Sequence, residues 1–369
     1  VRTPNILQDK GAQFRGKPAI IVAAGPSLNE ELEHLRKIKE DGSAYVFAVG
    51  SAINTLIAHN IDPDAACTFD PKEHNVDVFR KVIDAGIDRI PLVYGTSVGF
   101  STLQEYPGPL LHMVTSADLI TPYLVSGSQP IDKVDDAPSI AIVTFQLLAK
   151  LGCNPIILVG QNLALKENDF YAEGIPYREQ ALEKQQREEQ FAVADVYGGQ
   201  VLTTWWLNAM RLELERRIAA HPNVEVLNTT KGGAAIGGTV FVELERVVRE
   251  RLTKRVVEPG WHLKEKDPYP WTEVYERMMK LDEDFQRFQK TVRELAGILH
   301  EMDRHVHRKD GKSLLKLTHR FTHVFQHYQQ NEFYRRLIRP MNQMRNAVIA
   351  GKQMNEIANH ADLIERCRK

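Results

Sequence analysis

Along the first two thirds of the chain the apolar residues fall in short unbroken runs, each followed by a longer stretch in which they recur three and four positions apart. AIIVA precedes NEELEHLRKIKEDG, AYVFAVG precedes SAINTLIAHNI, and AACTFDP precedes HNVDVFRKVIDAG. IPLVYG and LLHMVTS come next, then SIAIVTFQLLAKLG leads into PIILVG, and WWLNAMRLELERRIAAH into VEVLN. A strand apolar on both of its faces is buried on both, and such strands separated by helices form a mostly parallel sheet covered on each side. The pattern predicts a Rossmann-like α/β domain from Lys17 to about Val257.

Beyond the Pro-rich joint EKDPYPW the period changes. Apolar residues at Val274, Met278, Leu281, Phe285, Phe288, Val292, Leu295, Leu299, Met302 and Val306 alternate in steps of four and three, the seam of a long helix. HRKDGK breaks it. A second helix is expected from about Ser313 to Arg339, ending at Pro340, and a third carries Ala347, Ala350, Met354, Ile357, Ala361 and Ile364. The division expected is a Rossmann-like domain over 1–260 and an all-α helical bundle over 261–369.

The stretch between Leu165 and Thr204 follows neither pattern. It is polar, holds Tyr171, Tyr177 and Tyr197, and comes straight after a strand end, a position that suits a lid closing over a ligand.

Composition narrows the function classes. The chain has 369 residues and a formal net charge of -1, so its overall charge gives nucleic acid no attraction. No apolar stretch approaches the eighteen residues of a membrane span, and VRTPNILQDKGAQF lacks the basic-then-apolar order of a secretion signal. The three cysteines, Cys67, Cys153 and Cys367, are far apart and without metal-type spacing. A reducing, cytoplasmic setting is expected, with neither a nucleic-acid nor a membrane partner.

Ligands of such sheets sit at the carboxyl ends of the strands, and the unusual loops fall there: Gly25-Pro26-Ser27, Gly50-Ser51, Asp70-Pro71, Gly95-Thr96-Ser97 and Gly160-Gln161-Asn162. In the first, Ser27 with Glu30 reads as a capping box, and the amides of Gly25 and Ser27 read as an anion site. One glycine here, not three, excludes the dinucleotide fingerprint. Asp70 ends a strand before a proline, either as a helix cap or as a carboxylate at the binding edge. NTTKGGAAIGG, residues 228–238, lets backbone close on a ligand or forms tight turns. His319, His323 and His327 face away from the apolar stripe and read as solvated, with no carboxylate or cysteine at ligand spacing, so no metal site is expected. The stripe of Met278, Phe285 and Phe288 reads as core. Trp205-Trp206 reads as a packed helix start, with stacking on a base or sugar as the alternative.

GKPAIIVAAGPSL, DPDAACTFDP, PSIAIVTFQLLAKLGCNPIILVGQNLAL and NTTKGGAAIGGT occur in this order. Together they resemble the motility-associated factor (Maf) family, glycosyltransferases that modify bacterial flagellin, over roughly residues 15–250. The helical tail is similar to that family's helical domain, and members usually carry a further N-terminal domain. The family's central domain is similar to bacterial sialyltransferases that use CMP-sialic acid; Gly25 to Leu28, Ser139 and IILVGQNLAL match their motifs. The resemblance implies transfer of a nonulosonic acid (sialic, pseudaminic or legionaminic type) from CMP to a flagellin Ser or Thr, with no cofactor beyond the activated sugar.

The donor-binding residues implied are Gly25, Pro26, Ser27, Ser51, Thr96, Ser139, Gly160, Gln161 and Asn162, with Tyr171, Tyr177 or Tyr197 on the departing phosphate. Where many relatives read Gly-Gln-Asp-Leu, this chain has Asn162. The sialyltransferase histidine base has no counterpart, because no histidine occurs between His112 and His221. Asp70 is the first candidate base, then Asp195 or Glu173. Two rival readings share features of the sequence: an archaeal-type 6-hydroxymethylpterin diphosphokinase using ATP and magnesium, which has the Gly-Pro-Ser and Asp-Pro pattern, and a non-catalytic flagellin-binding assembly factor.

Overall fold

The computed structural model describes residues 3–9, 11–125, 131–165, 189–263, 269–308 and 310–341. They fall in two compact units, one formed by Val1–Asp118 with Pro130–Pro268, the other by Leu119–Gln129 with Tyr269–Lys369.

The first unit is built on nine strands: β1 (Ala19–Val22), β2 (Tyr45–Val49), β3 (Ala65–Thr68), β4 (Leu92–Gly95), β5 (Leu110–Thr115), β6 (Lys133–Val134), β7 (Ile156–Val159), β10 (Val226–Asn228) and β11 (Val240–Phe241). Two more, β8 (Gln190–Ala194) and β9 (Gln200–Thr204), form a separate antiparallel hairpin. The large sheet runs β11-β10-β7-β1-β2-β3-β4-β5-β6, and every pairing in it is parallel. The α/β reading of the sequence therefore holds.

The unbroken apolar runs follow from burial on both faces. Successive side chains of a strand point to opposite sides, so Ile21, Phe47 and Leu158 join one core with Phe145 and Leu148 of the helix Ile140–Lys150. Ile20, Val46 and Ile157 join another with Leu35 and Ile38 of the helix Leu32–Asp41. The first core closes on an aromatic group in which Phe14 lies 4.6 Å from Tyr45 and 5.2 Å from Trp261, ring centre to ring centre. Trp261 is buried there and belongs to the first unit, which runs on to Pro268 rather than stopping at 260.

In the second unit a helix of 37 residues, Trp271–His307, packs against the helix Gly311–Gln330. Leu295, Ile298 and Val324 form their buried centre, flanked by Met302, Leu317, Phe321 and Tyr328. Phe285 and Phe288 pack on Phe333, as a core stripe should, but Met278, Val292, Leu299 and Val306 of the expected seam are exposed. The column Val274, Leu281, Phe288, Leu295 and Met302 keeps its step of seven along the helix and stays buried or half-buried, while the second column is displaced by one residue, to Asp284 and Ile298. The second helix stops at Asn331, well before Pro340. Asn331 donates its side-chain amide to the Asp284 carbonyl at 2.9 Å and accepts from the Tyr334 amide at 3.0 Å, ending one helix and starting the next turn. Pro340 lies within the short helix Arg339–Met341 that follows. The expected third helix lies outside the described residues. His319, His323 and His327 are exposed. Among the described residues no helix is long and apolar enough to cross a membrane.

On β5, His112 is 1% exposed and sits 2.9 Å from the Thr3 hydroxyl. Burial pushes its imidazole down to about 4. Because this folded value lies below the unfolded value of about 6.5, the neutral ring's stabilisation is complete above about pH 6.5 and is lost as the pH falls towards 4. Urea titrations should show a loss of roughly 2 kcal/mol from this group by about pH 5. The slope between pH 7 and 5 should be shallower in His112→Gln.

Candidate functional site

β1 is followed in space by β2 to β6 on one side, and β7 lies on its other side. The connections from β1 and β7 therefore lead to opposite sides of the sheet, β1 to β2 and β7 to β10, the switch-point arrangement at which open α/β sheets bind ligands. A cleft of about 500 Å³ opens over the carboxyl ends of β1, β2 and β3, walled by Ser51, Thr68, Asp70, Asn75, Ser139, Gln161, Trp206 and Met210 among others. A smaller recess of about 150 Å³ shares Ser139, Gln161 and Met210 with it and adds Gly25, Gly160 and Asn162.

The recess floor is a knot of three loops. The Gly25 amide donates to the Gly160 carbonyl at 2.8 Å. A Cβ on Gly25 would lie 2.3 Å from both the Gly160 carbonyl oxygen and Asn162 Oδ1; one on Gly160, whose φ is +67°, would lie 2.3 Å from the Ala23 carbonyl oxygen. Only glycine permits this approach. Asn162, 2% exposed, accepts from the Ser27 hydroxyl at 2.8 Å and the Ser27 amide at 3.2 Å, and donates to the Lys231 carbonyl at 3.3 Å. The Gln161 amide donates to Thr230 Oγ1 at 3.1 Å. Below, the buried Glu31 carboxylate pairs with Lys231 at 2.9 Å and lies 2.8 Å from His34. Burial works to lower the Lys231 ammonium, yet the hydrogen bond and charge of Glu31 prevail and hold it above its ordinary value.

These contacts correct two expectations. Ser27 makes no capping box: it is buried inside a 3-10 turn, Pro26–Glu30, whose N-cap position is Gly25. The amides of Gly25 and Ser27 are already spent inside the knot and are not offered to an anion. The feature that faces the cleft is instead the start of the helix Ile140–Lys150. Ser139 caps it by accepting from the Ala141 amide at 3.2 Å, and Pro138 to Ala141 line the cleft. The positive end of that helix dipole is therefore directed at any bound group.

Ser51, Asp70, Ser139 and Gln161 meet in the cleft, and Gly25, Gly160 and Asn162 in the recess. Pro26, Ser27 and Thr96 line neither; the Thr96 amide instead bonds the Met113 carbonyl at 3.1 Å. Tyr171, Tyr177 and Glu173 lie outside the described residues. The described end of the expected lid is regular, the β8–β9 hairpin, held by bonds such as Leu165 N to Leu202 O at 2.8 Å and Val196 N to Gly233 O at 3.1 Å. Tyr197 sits at its tip against Phe241, and Asp195 accepts from the Tyr197 and Gly199 amides as a turn residue, so neither lines the cleft. Asp70 holds the Lys72 amide at 3.0 Å and is the one ionisable side chain among the described residues lining the cleft or recess. No group of three or more His, Cys, Asp or Glu among the described residues is placed to hold a metal ion.

Sequence reasoning missed Met210, Thr68 and Asn75, and gave stacking by Trp206 only as the alternative to a packed helix start. Trp206 is 48% exposed and lines the cleft, and Trp205 is 72% exposed, so the pair is not a packed helix start. The four-residue step from Trp206 to Met210 was the available signal. The buried Oε1 of Gln161 has no hydrogen-bond partner among the described residues. A groove of about 690 Å³ between the helices Leu32–Asp41 and Leu244–Glu250 is larger than the cleft. It is lined by exposed charges of both signs, such as Lys37, Asp41, Glu245 and Lys254, and lies along helix flanks rather than strand ends.

Residues 2–168 match the model of a family described as 6-hydroxymethylpterin diphosphokinase MptE-like. Among solved structures, the MAf glycosyltransferase from Magnetospirillum magneticum AMB-1 is similar, with a TM-score of 0.55 and 17% identity over 86% of this chain and 49% of that one. This chain has the Maf-type fold. It spans about half the length of that protein, and identity at this level establishes fold alone. No curated protein matches the chain.

Asn162 carries both Ser27 bonds and the bond to Lys231, so Asn162→Ala should cost roughly 2 to 4 kcal/mol in a urea titration. Asn162→Asp keeps both acceptor bonds but buries a charge and turns an oxygen onto the Lys231 carbonyl, so it should also destabilise.

Proposed function

We propose that the chain is the transferase core of a Maf-like enzyme that moves a nonulosonic acid from its CMP donor to Ser or Thr of flagellin, in the cytoplasm. The observation that carries this reading is the cleft itself: a switch-point site walled by hydroxyls and amides, with one carboxylate, no cationic side chain among the described residues, and one helix dipole aimed into it. A single phosphodiester suits such a wall, because the dipole supplies a partial positive charge and no metal is needed. In this reading the phosphate sits at the start of the helix Ile140–Lys150. Ser51, Ser139 and Gln161 hold the nucleotide. Asp70 accepts the proton of the acceptor hydroxyl as the sugar carbon forms its new C–O bond and the bond to the CMP phosphate oxygen breaks. The resemblance of four sequence motifs to the Maf family, and the shared fold, support the choice of sugar donor and acceptor.

A second reading is diphosphate transfer from ATP to a hydroxymethylpterin. The family-model match over residues 2–168 favours it, and Asp70 would then be a magnesium ligand.

Calorimetry on the purified chain separates the two. CMP should bind without added metal, and ATP should bind at least about tenfold more weakly, with or without magnesium. Preference for ATP with magnesium would move the assignment to the diphosphokinase. Mass spectrometry of flagellin co-expressed with the chain and a CMP-nonulosonate pathway should show the added sugar. Its absence in the presence of normal CMP binding would leave the donor site and remove the acceptor.

A further inference from the structure

The cleft spans four neighbouring strands, β7-β1-β2-β3, and its two ends differ in chemistry. Thr68, Asp70 and Asn75 come from β3 and the segment after it, and supply a hydroxyl, a carboxylate and an amide. The β7 end is made by Gln161 and, from the helix Trp205–Ala219, by Trp206 and Met210, one turn apart on one face. A large aromatic side chain half open to solvent in the wall of a cleft leaves apolar surface uncovered. Burial of its flat face is favourable for any ring that can lie on it. Beside it Gln161, 6% exposed, lines the cleft.

We infer that Trp206 is the stacking platform for an aromatic heterocycle, the base of the nucleotide, which places the ribose and the group to be transferred towards Asp70. This rests on the reading of the cleft as a nucleotide site and adds the direction in which the nucleotide lies. The ligand class is a nucleotide whose base stacks on an indole, with Gln161 beside it. Trp205, more exposed and absent from the cleft wall, takes no part.

The test compares CMP, AMP and ribose 5-phosphate by calorimetry on the full chain and on Trp206→Ala, Trp206→Phe and Trp205→Ala, with circular dichroism confirming that each variant is folded. Loss of one base–aromatic stack should weaken CMP and AMP about tenfold or more in Trp206→Ala. Trp206→Phe should keep most of the affinity, and Trp205→Ala all of it. Ribose 5-phosphate, which has no base, should bind wild type and Trp206→Ala alike. Unchanged CMP and AMP affinity in folded Trp206→Ala overturns the stacking assignment while the nucleotide reading stands. Equal weakening of ribose 5-phosphate overturns it too, since the effect would then be a general distortion of the cleft. Failure of wild type to bind any nucleotide overturns both.

Discussion

The close approach of two backbones at the switch point is the constraint on which the rest of the site depends. β1 and β7 are adjacent and parallel, and their chains stay paired past the strand ends through the Ala23 and Gly25 amides. No Cβ fits at Gly160, against the Ala23 carbonyl, or at Gly25, where the space is filled by the Asn162 carboxamide, which meets Ser27 on one side and the Lys231 carbonyl on the other. The third loop is then fixed by its own bonds, Thr229 Oγ1 to the Leu158 carbonyl and Thr230 Oγ1 to the Gln161 amide, and by the Glu31–Lys231 pair. A buried charge pair with one member removed is costly, so Glu31 and Lys231 require each other.

The knot decides where a ligand is able to bind. Because the Gly-Pro-Ser turn spends its amides and hydroxyl internally, it acts as a wall and not as a cradle. The cleft runs from the knot out over β2 and β3, and Pro138 to Ala141, at the start of the helix Ile140–Lys150, line it. Packing in the first core holds that helix: Phe145, Leu147 and Leu148 are fully buried. The dipole is thus aimed by the hydrophobic core, and its direction is set before any ligand arrives.

Much of the fold was legible in the sequence because burial on both faces writes itself as unbroken apolar runs; Ile20-Ile21-Val22, Val46-Phe47-Ala48 and Ile156-Ile157-Leu158 could hardly be anything but central strands. The positions of Gly25, Gly160 and Asn162 were legible as loops at strand ends. Their roles were not, since whether an amide is free depends on which loop lies opposite, and that pairing joins residues 135 positions apart in the chain. Asn75 gave no signal at all: its amide bonds Thr68 and Thr102 across a 3-10 turn that has no period of its own. In the tail, one column of the heptad seam, from Val274 to Met302, was legible, but the other was read one residue too far along, since Ile298 and not Leu299 is buried.

Charge is what separates the two chemical readings of the cleft. A triphosphate needs cations to offset several negative charges in a partly desolvated site, whether from Lys and Arg or from a bound metal. The described wall holds neither Lys nor Arg, and its carboxylate adds to the repulsion unless a metal intervenes. One helix dipole amounts to about half an elementary charge, enough to favour a single phosphodiester and too little for a triphosphate. With hydroxyls and amides dominating the polar wall and an indole at one end, the site is better matched to a ligand that is mostly neutral, carries one phosphate, and presents flat and hydroxylated surfaces. A nucleotide-linked sugar has that distribution of charge, and this balance makes the glycosyltransferase reading the stronger of the two.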